Sequence, residues 1–548
     1  MTGRPVSFDE PLGRNASQDA KSTAGRDLDT AAESTTPLPR IVIPTDDLVR
    51  LGSLHLHADP ARVLARPFLP GQEMLTQGIS RADAVVRRVA ALTEDEVAVA
   101  LAAALASFSD RHHDLLAVFR EHFALVSHRI PRGASISPTR ADLIGAFCTQ
   151  EYAIEGAAIC NPSIVADPSQ KGVAPGDLRF IMSLRGIGED HLSTIGFRRG
   201  TLGPDDQVSL EPATAVIGAG ESASSPMSLH ALRQALTLGD ASAAESVLSM
   251  LPDEFTPDDL EEALALSERD TLSRSRTNGL IDRIRRVVAS NYQVTFPADR
   301  DLSARVLHPV SPAESRGMED ARFTGFVGPD GALTHYATYT AYDGSTIAPH
   351  LIQTDDFRTF SIRQQTGSAA TNKGMALFPR LIGGRYRAIS RWDRENISVA
   401  SSTDALHWDT PVVVQRPRHA WDLIQLGTCA SPLETPDGWL VITHGVGPVR
   451  TYTLGAILLD LNDPTRVVGV LDEPLMTVEP QDRHDYVPNV VHSCGALIHG
   501  STVVLPYGCN DASIRFAFID LPGLLRRLTV SPQRPTGSGR HRARLLPT

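Results

Sequence analysis

The stretch ESRGMEDARF, residues 314–323, sets Glu319 and Asp320 side by side between Arg316 and Arg322, just ahead of an apolar run. Carboxylates flanked by guanidiniums can hold a poised acid in a cleft, or they can form a solvated turn that caps a strand. A buried acid–base pair is costly to desolvate unless it is well paired, so the rest of the chain must decide between the two. In an extended segment successive side chains alternate faces. Glu319 is then expected to point away from Asp320 and to pair with Arg316 or another base. Other chemistry-bearing residues carry less. His55 with His57, and His112 with His113, lack carboxylate or cysteine partners at metal-like spacing, and no metal is assigned. IGAGES (217–222) is glycine-rich but has neither a strand–loop–helix setting nor a Lys-Ser/Thr pair, so no nucleotide role follows.

The elements that must position these residues come from a chain of 548 residues, longer than one ordinary core fills. Its 64 acidic against 52 basic residues give a net charge of −12, which disfavours nucleic acid as a general partner and leaves small ligands. The five cysteines form no CxxC pair and suit a reducing compartment. No run approaches the ~20 apolar residues of a membrane span, and the start MTGRPVSFDEPLGRN is unlike a secretory signal, so a cytoplasmic protein without a membrane partner is expected. Residues 1–38 are polar and aperiodic, as in a disordered tail. Helical spacing from SRADAVVRRVAAL onward, with a capping box at TEDE, predicts an N-terminal helical module over 39–150. A helical insertion is expected over 226–290. Between and after these blocks, at 151–225 and 291–525, the period changes to two. Short β-branched and aromatic runs such as LRFIMSL, THYATYTAY, GWLVITHGV and IRFAFIDL alternate with PDG, GG and Asn-Asp turns. The order turn, strand, turn recurs as in radial blades. Residues 526–548 are expected to be a flexible basic tail.

ESRGMEDARF resembles the GxEDxR signature of glycoside hydrolase family 130, the β-mannoside phosphorylases and mannosidases. Further segments fall in that family's order: CNPSIVADP (160–168), SLRGIGEDHLSTIGFR (183–198), NKGMALFPRLIGGRYRAISRWD (372–393), then STDALHWD, GWLVITHGV, YTLGAILLDLNDP, YVPNVVHSCGAL and YGCND. The resemblance covers about 155–225 and 290–525. It implies a mainly β fold, a five-bladed β-propeller around a central pocket, to which this chain adds the N-terminal helical module and the helical insertion of longer members. Those blocks are expected to pack on the propeller, narrowing the acceptor side of the pocket or forming a homo-oligomer contact.

The implied activity is inverting phosphorolysis of β-mannosides, such as manno-oligosaccharides, to α-mannose 1-phosphate, with inorganic phosphate as co-substrate and no cofactor. Phosphorolysis needs one acid for the leaving oxygen and cations to hold the phosphate, whereas inverting hydrolysis needs a second carboxylate as base. By resemblance Asp320 is the acid, its proton relayed through the mannose 3-hydroxyl, and Lys373, Arg391 and Arg185 bind phosphate. Asn161, Arg322, His444, Tyr507 and Asp511 fall at sugar-binding positions. Simpler roles exist for some: Arg322 can hold the Asp320 turn, His444 can be a satisfied core residue, and Asp511 can cap its own turn. Gly374 stands where relatives often carry Asp or Asn, and Ala321 where Pro is usual. The nearest rival is a β-mannosidase using Asp393 or Glu395 as base; a rival of another class is a non-catalytic carbohydrate-binding propeller.

Overall fold

The computed structural model describes residues 47–528 apart from 72–73, 77–78, 131–132, 134, 237, 268–273 and 479–485. The expected tails, 1–38 and nearly all of 526–548, lie outside the described residues. The fold is mainly β. Antiparallel meanders follow one another along the chain, each built from short strands whose turns carry the punctuation seen in the sequence. The first runs through Ala158–Ala166, Leu178–Ile187, Ser193–Leu202 and Val208–Leu210. The second comprises Gly317–Val327, Leu333–Tyr342, Ile347–Thr354 and Thr359–Gln364. The third comprises Ala376–Leu377, Tyr386–Ser390, Ile397–Ser402 and Val412–Gln415. In the fourth, Gln425–Thr428 and Leu433–Thr435 both pair with Gly438–Val446, which is followed by Tyr452–Leu459 and Val467–Val470. In the fifth, Val491–His492 and Leu497–His499 pair with Thr502–Cys509, which pairs with Ser513–Asp520.

The outer strand of the fifth meander comes from the other end of the chain. Val49–His57 pairs antiparallel with Ser513–Asp520, so residues expected to open a helical module instead complete a sheet. Its alternating burial places Leu54 and Leu56 on the shared core and the intervening side chains outward, the period of two that the helical reading of 39–150 overlooked. Helices begin only at Arg81. Four of them, Arg81–Ala90, Glu94–Phe108, Leu115–Val126 and Pro138–Phe147, enclose a core of their own that holds Val86, Val89, Val97 and Phe119. Thr93 and Glu96 cap the second of these reciprocally, at 2.7 Å from Thr93 N–H to Glu96 Oε2. A second helical group, from Leu229–Ala235 to Arg274–Ala289, surrounds Leu232, Phe255, Leu260 and Ile284. Among the described residues no helix is long and apolar enough to cross a membrane.

Neighbouring meanders share apolar clusters. Phe197 of the first packs with Phe323 of the second, Phe326 of the second lies with Leu377 of the third, and Phe378 of the third meets Trp439 of the fourth edge-on at 5.2 Å. Leu440 and Leu454 of the fourth lie with Val503 and Leu505 of the fifth. Phe180 of the first and Phe516 of the fifth share a further cluster, with ring centroids 6.3 Å apart. Strands such as Gly438–Val446 are therefore buried along their whole length, which explains their unbroken apolar composition.

Candidate active site

Four of the five meanders contribute from their first strand, and four from a later turn or the strand end beside it. The first strands supply Asn161, Asp320 with Arg322, Gln425 and His492, and the segment entering the third supplies Lys373. The turns, or the strand ends beside them, supply Arg185, Arg391, His444, Arg450 and Asp511. All of these line one cavity of about 190 Å³.

Backbone irregularity aims these side chains. The pairing of Gly317–Val327 with its neighbour slips between Glu319 and Arg322, and that of Ala158–Ala166 slips between Cys160 and Ser163. At these bulges Asp320 and Asn161 take left-handed backbone, φ 58° and 49°, conformations that cost non-glycine residues free energy and concentrate at functional sites. Asp511, at φ 49°, does the same in its turn. The bulge overturns the expected alternation, because Glu319 and Asp320 both meet the same guanidinium. Arg185 donates from Nη2 to Glu319 Oε1 at 2.7 Å and from Nη1 to Asp320 Oδ1 at 3.3 Å. Lys373 Nζ donates to Glu319 Oε2 at 2.5 Å, and Asn161 Nδ2 donates to Asp320 Oδ1. Glu319 thus pairs with bases from the first and third meanders rather than with Arg316. Two glycines permit the approach. Gly317, φ 137°, lies so near Ser193 that a Cβ would fall 2.8 Å from its backbone nitrogen, and a Cβ on Gly427 would fall 2.4 Å from the His444 ring.

Burial alone would raise the Asp320 proton affinity, but Arg185, Arg322 and Lys373 outweigh it and hold the carboxyl well below the usual carboxylate range. Asp511 behaves oppositely. Burial pushes it up to about 6, against the pull of Arg185. Burial lowers His492 to about 4 and His444 well below the ordinary histidine value, so both imidazoles are neutral near pH 7. Arg322 is buried and donates to the Asp320 backbone carbonyl at 2.9 Å, so it holds the acid's turn while lining the cavity. Arg391 Nη1 lies 3.5 Å from His444 Nε2, and its carbonyl accepts from Asn372 Nδ2 at 3.0 Å. No carboxylate pairs with Arg391 among the described residues. In all, Arg185, Arg322, Lys373, Arg391 and Arg450 face two carboxylates, Asp320 and Asp511, across the cavity.

Eight of the nine residues singled out from the sequence therefore converge. Tyr507 does not line the cavity; it is buried in the apolar cluster between the fourth and fifth meanders. Gln425, Arg450, Tyr452 and His492 line it and were not singled out. His492 had a signal, a lone imidazole in the apolar run VVHSCGAL; Arg450 and Tyr452 sit in and just after a turn of unremarkable composition. Of the two candidate bases for the rival mannosidase, Asp393 accepts from the Glu395 and Asn396 amides at 3.1 and 2.9 Å and serves its own turn, while Glu395 is exposed. His112 bonds Glu151 at 2.9 Å, a partner far off in sequence that its local spacing could not reveal. Cys429, His444 and His492 bring one ligand atom each within 4.8 Å of one another. Burial pushes the Cys429 thiol up to about 12, and Arg391 and Arg322 face His444, so the charge there suits an anion better than a divalent cation.

A family model described as beta-1,4-mannooligosaccharide phosphorylase matches residues 298–529. The 1,2-beta-oligomannan phosphorylase of Thermoanaerobacter sp. (strain X514) is 30% identical over 226 residues, 40% of this chain and 74% of that protein. The beta-1,2-mannobiose phosphorylase of Listeria innocua serovar 6a is 31% identical over 232 residues, 41% of this chain and 63% of that protein. The solved structure of beta-1,2-mannobiose phosphorylase from Listeria innocua in complex with beta-1,2-mannobiose aligns over 69% of this chain and 93% of its own, with 21% identity and a TM-score of 0.40. On the family model and the identity spanning most of the Thermoanaerobacter relative, the chain belongs to glycoside hydrolase family 130.

Proposed function

We propose that this protein is an inverting glycoside phosphorylase that cleaves β-mannosides with inorganic phosphate, giving α-mannose 1-phosphate and a shortened acceptor. The observation that carries the reading is the charge of the site, five cationic side chains against three carboxylates, Asp320 and Asp511 on the cavity wall and Glu319 behind Arg185 and Lys373. Such a site attracts a dianion and favours it as the nucleophile over neutral water. Family relatives named as phosphorylases of β-mannooligosaccharides and β-1,2-mannobiose support the same substrate class. The five meanders, each sharing an apolar cluster with the next and the fifth with the first, support a five-bladed propeller with this cavity on its axis.

In this reading Asp320 is the acid, acting through the mannose 3-hydroxyl. Asn161 fixes its carboxylate, and neutral His444 and His492, with Asp511, hold sugar hydroxyls or phosphate oxygens by hydrogen bonds. Arg391 has no carboxylate partner among the described residues and is the principal phosphate ligand, with Lys373 and Arg185 contributing as phosphate draws them from Glu319 and Asp320. That exchange has a chemical consequence. The cations that keep Asp320 ionised are the ones a bound dianion neutralises, so phosphate binding raises the proton affinity of Asp320 and readies the acid. Incubating the protein with β-1,2- and β-1,4-linked manno-oligosaccharides, with and without phosphate, tests the reading. Sugar phosphate formed only with phosphate is expected; equal cleavage in its absence would favour a hydrolase using Asp511 as base.

A further inference from the structure

Two turns of this protein are built alike. Gly188–Leu192 follows the strand that carries Arg185, and Gly447–Thr451 follows the strand that carries His444. In each the glycine amide donates to the carbonyl four residues on, at 3.1 and 2.9 Å, and the last amide donates back three residues, at 3.1 and 3.2 Å. Each also holds two consecutive non-glycine residues in left-handed backbone: Asp190 and His191 at φ 54° and 57°, Val449 and Arg450 at φ 57° and 54°. The turns differ in what their final left-handed residue does. The His191 ring is bonded to the Tyr486 hydroxyl. Arg450 lines the cavity with no hydrogen bond or ion pair among the described residues, although Asp511 feels its charge.

Backbone strain of this kind persists where the surroundings fix it and concentrates at ligand clamps. A solvated arginine needs no such turn. Beyond Arg450 the cavity wall carries Arg391, also without a carboxylate partner among the described residues, and Tyr452 follows two positions later on the strand that the turn feeds. Two guanidiniums that line one cavity, neither paired with a carboxylate among the described residues, are planar donor forks of the kind that can hold a tetrahedral oxyanion together. The Glu319-paired cations, Arg185 and Lys373, lie toward the acid.

We infer that Arg450 is a further ligand-binding residue, clamping from the cavity rim the phosphate group that Arg391 holds from within. The inference deepens the phosphorylase reading and rests on it for the identity of the anion, which can arrive as inorganic phosphate or as the phosphate of α-mannose 1-phosphate. Arg450 is exposed and makes no hydrogen bond or ion pair among the described residues, so its removal is not expected to disturb folding.

The test compares wild type with Arg450→Ala and Arg450→Lys. The apparent KM for inorganic phosphate in phosphorolysis, the KM for α-mannose 1-phosphate in synthesis and the KM for the mannoside are measured in each. Arg450→Ala should raise the first by about 10- to 100-fold, as for loss of a charge-assisted contact, with mannoside KM changed less than about twofold and partial recovery in Arg450→Lys. An equal rise for α-mannose 1-phosphate places the contact on a phosphate present in both directions; a rise for inorganic phosphate alone restricts it to the free ion. A phosphate KM within about twofold of wild type, or a rise confined to the mannoside, overturns the inference. Phosphate-induced thermal stabilisation, measured without any mannoside, separates the two claims. If wild type is stabilised and Arg450→Ala is not, the anion contact stands even should phosphorolysis fail; if both respond equally, the contact is wrong even should phosphorolysis hold.

Discussion

Asp511→Asn should stabilise the fold and weaken the enzyme, with a pH dependence that identifies the cause. Asp511 sits half-buried in the cavity wall, and burial raises its carboxyl from an ordinary 3.8 to about 6. At about 1.4 kcal/mol per tenfold change in proton affinity, that rise corresponds to at most about 3 kcal/mol, and to about 1–2 kcal/mol once the water reaching a half-buried group is allowed for. The sign follows from proton counts. Below pH 3.8 the side chain is protonated in both states and contributes nothing. Between 3.8 and about 6 the unfolded chain loses its proton while the folded chain keeps it, so the folded state loses stability as pH rises, reaching the full penalty above about 6. Urea unfolding from pH 4.5 to 8 should show Asp511→Asn gaining on wild type across that window and holding a constant advantage above it. The left-handed backbone, φ 49°, adds a smaller gain because asparagine tolerates it well, and that part does not vary with pH. Mannoside KM should rise in the same variant. A pH-independent difference, or a loss of stability at pH 8, would refute the electrostatic reasoning.

Asp320→Asn should lower the rate by about 10² to 10⁴ on natural mannosides and less on a substrate with an activated aryl leaving group, as steady-state assays would show. Arg391→Ala should weaken apparent phosphate affinity by about 1.5–3 kcal/mol, and by more than Lys373→Ala, because Lys373 is paired with Glu319; equal effects in phosphate titrations would contradict that ranking. Deleting residues 1–57 should expose the edge of Ser513–Asp520 and remove Leu54 and Leu56 from the shared core, costing about 3 kcal/mol or more and promoting aggregation, measurable by urea melts and light scattering.

Strand periods and turn residues made the meanders legible, since PDG and Asn-Asp at the hairpin ends are local chemistry. What escaped was set by distance. Val49–His57 alternates as a strand should, but its partner lies at the far end of the chain, and the helical spacing that starts at Arg81 drew its neighbours into one block. The cavity residues were found where a family segment surrounded them. Local alternation misdirected Glu319 because a bulge, invisible to a period-two reading, turns both carboxylates toward Arg185. Tyr507 lay one face away from the cavity on a strand whose turn does supply Asp511, a distinction that needs the register of Thr502–Cys509. Arg450 and Tyr452 sit in and after a turn whose left-handed geometry no residue type announces.

The claim that phosphate, and not water, attacks the anomeric carbon is tested most directly by one reaction run in H₂¹⁸O with β-mannobiose and unlabelled phosphate, its products weighed by mass spectrometry. The expected result is unlabelled α-mannose 1-phosphate together with one unlabelled mannose released as the acceptor. Mannose carrying ¹⁸O, formed at the same rate whether or not phosphate is present, would contradict it.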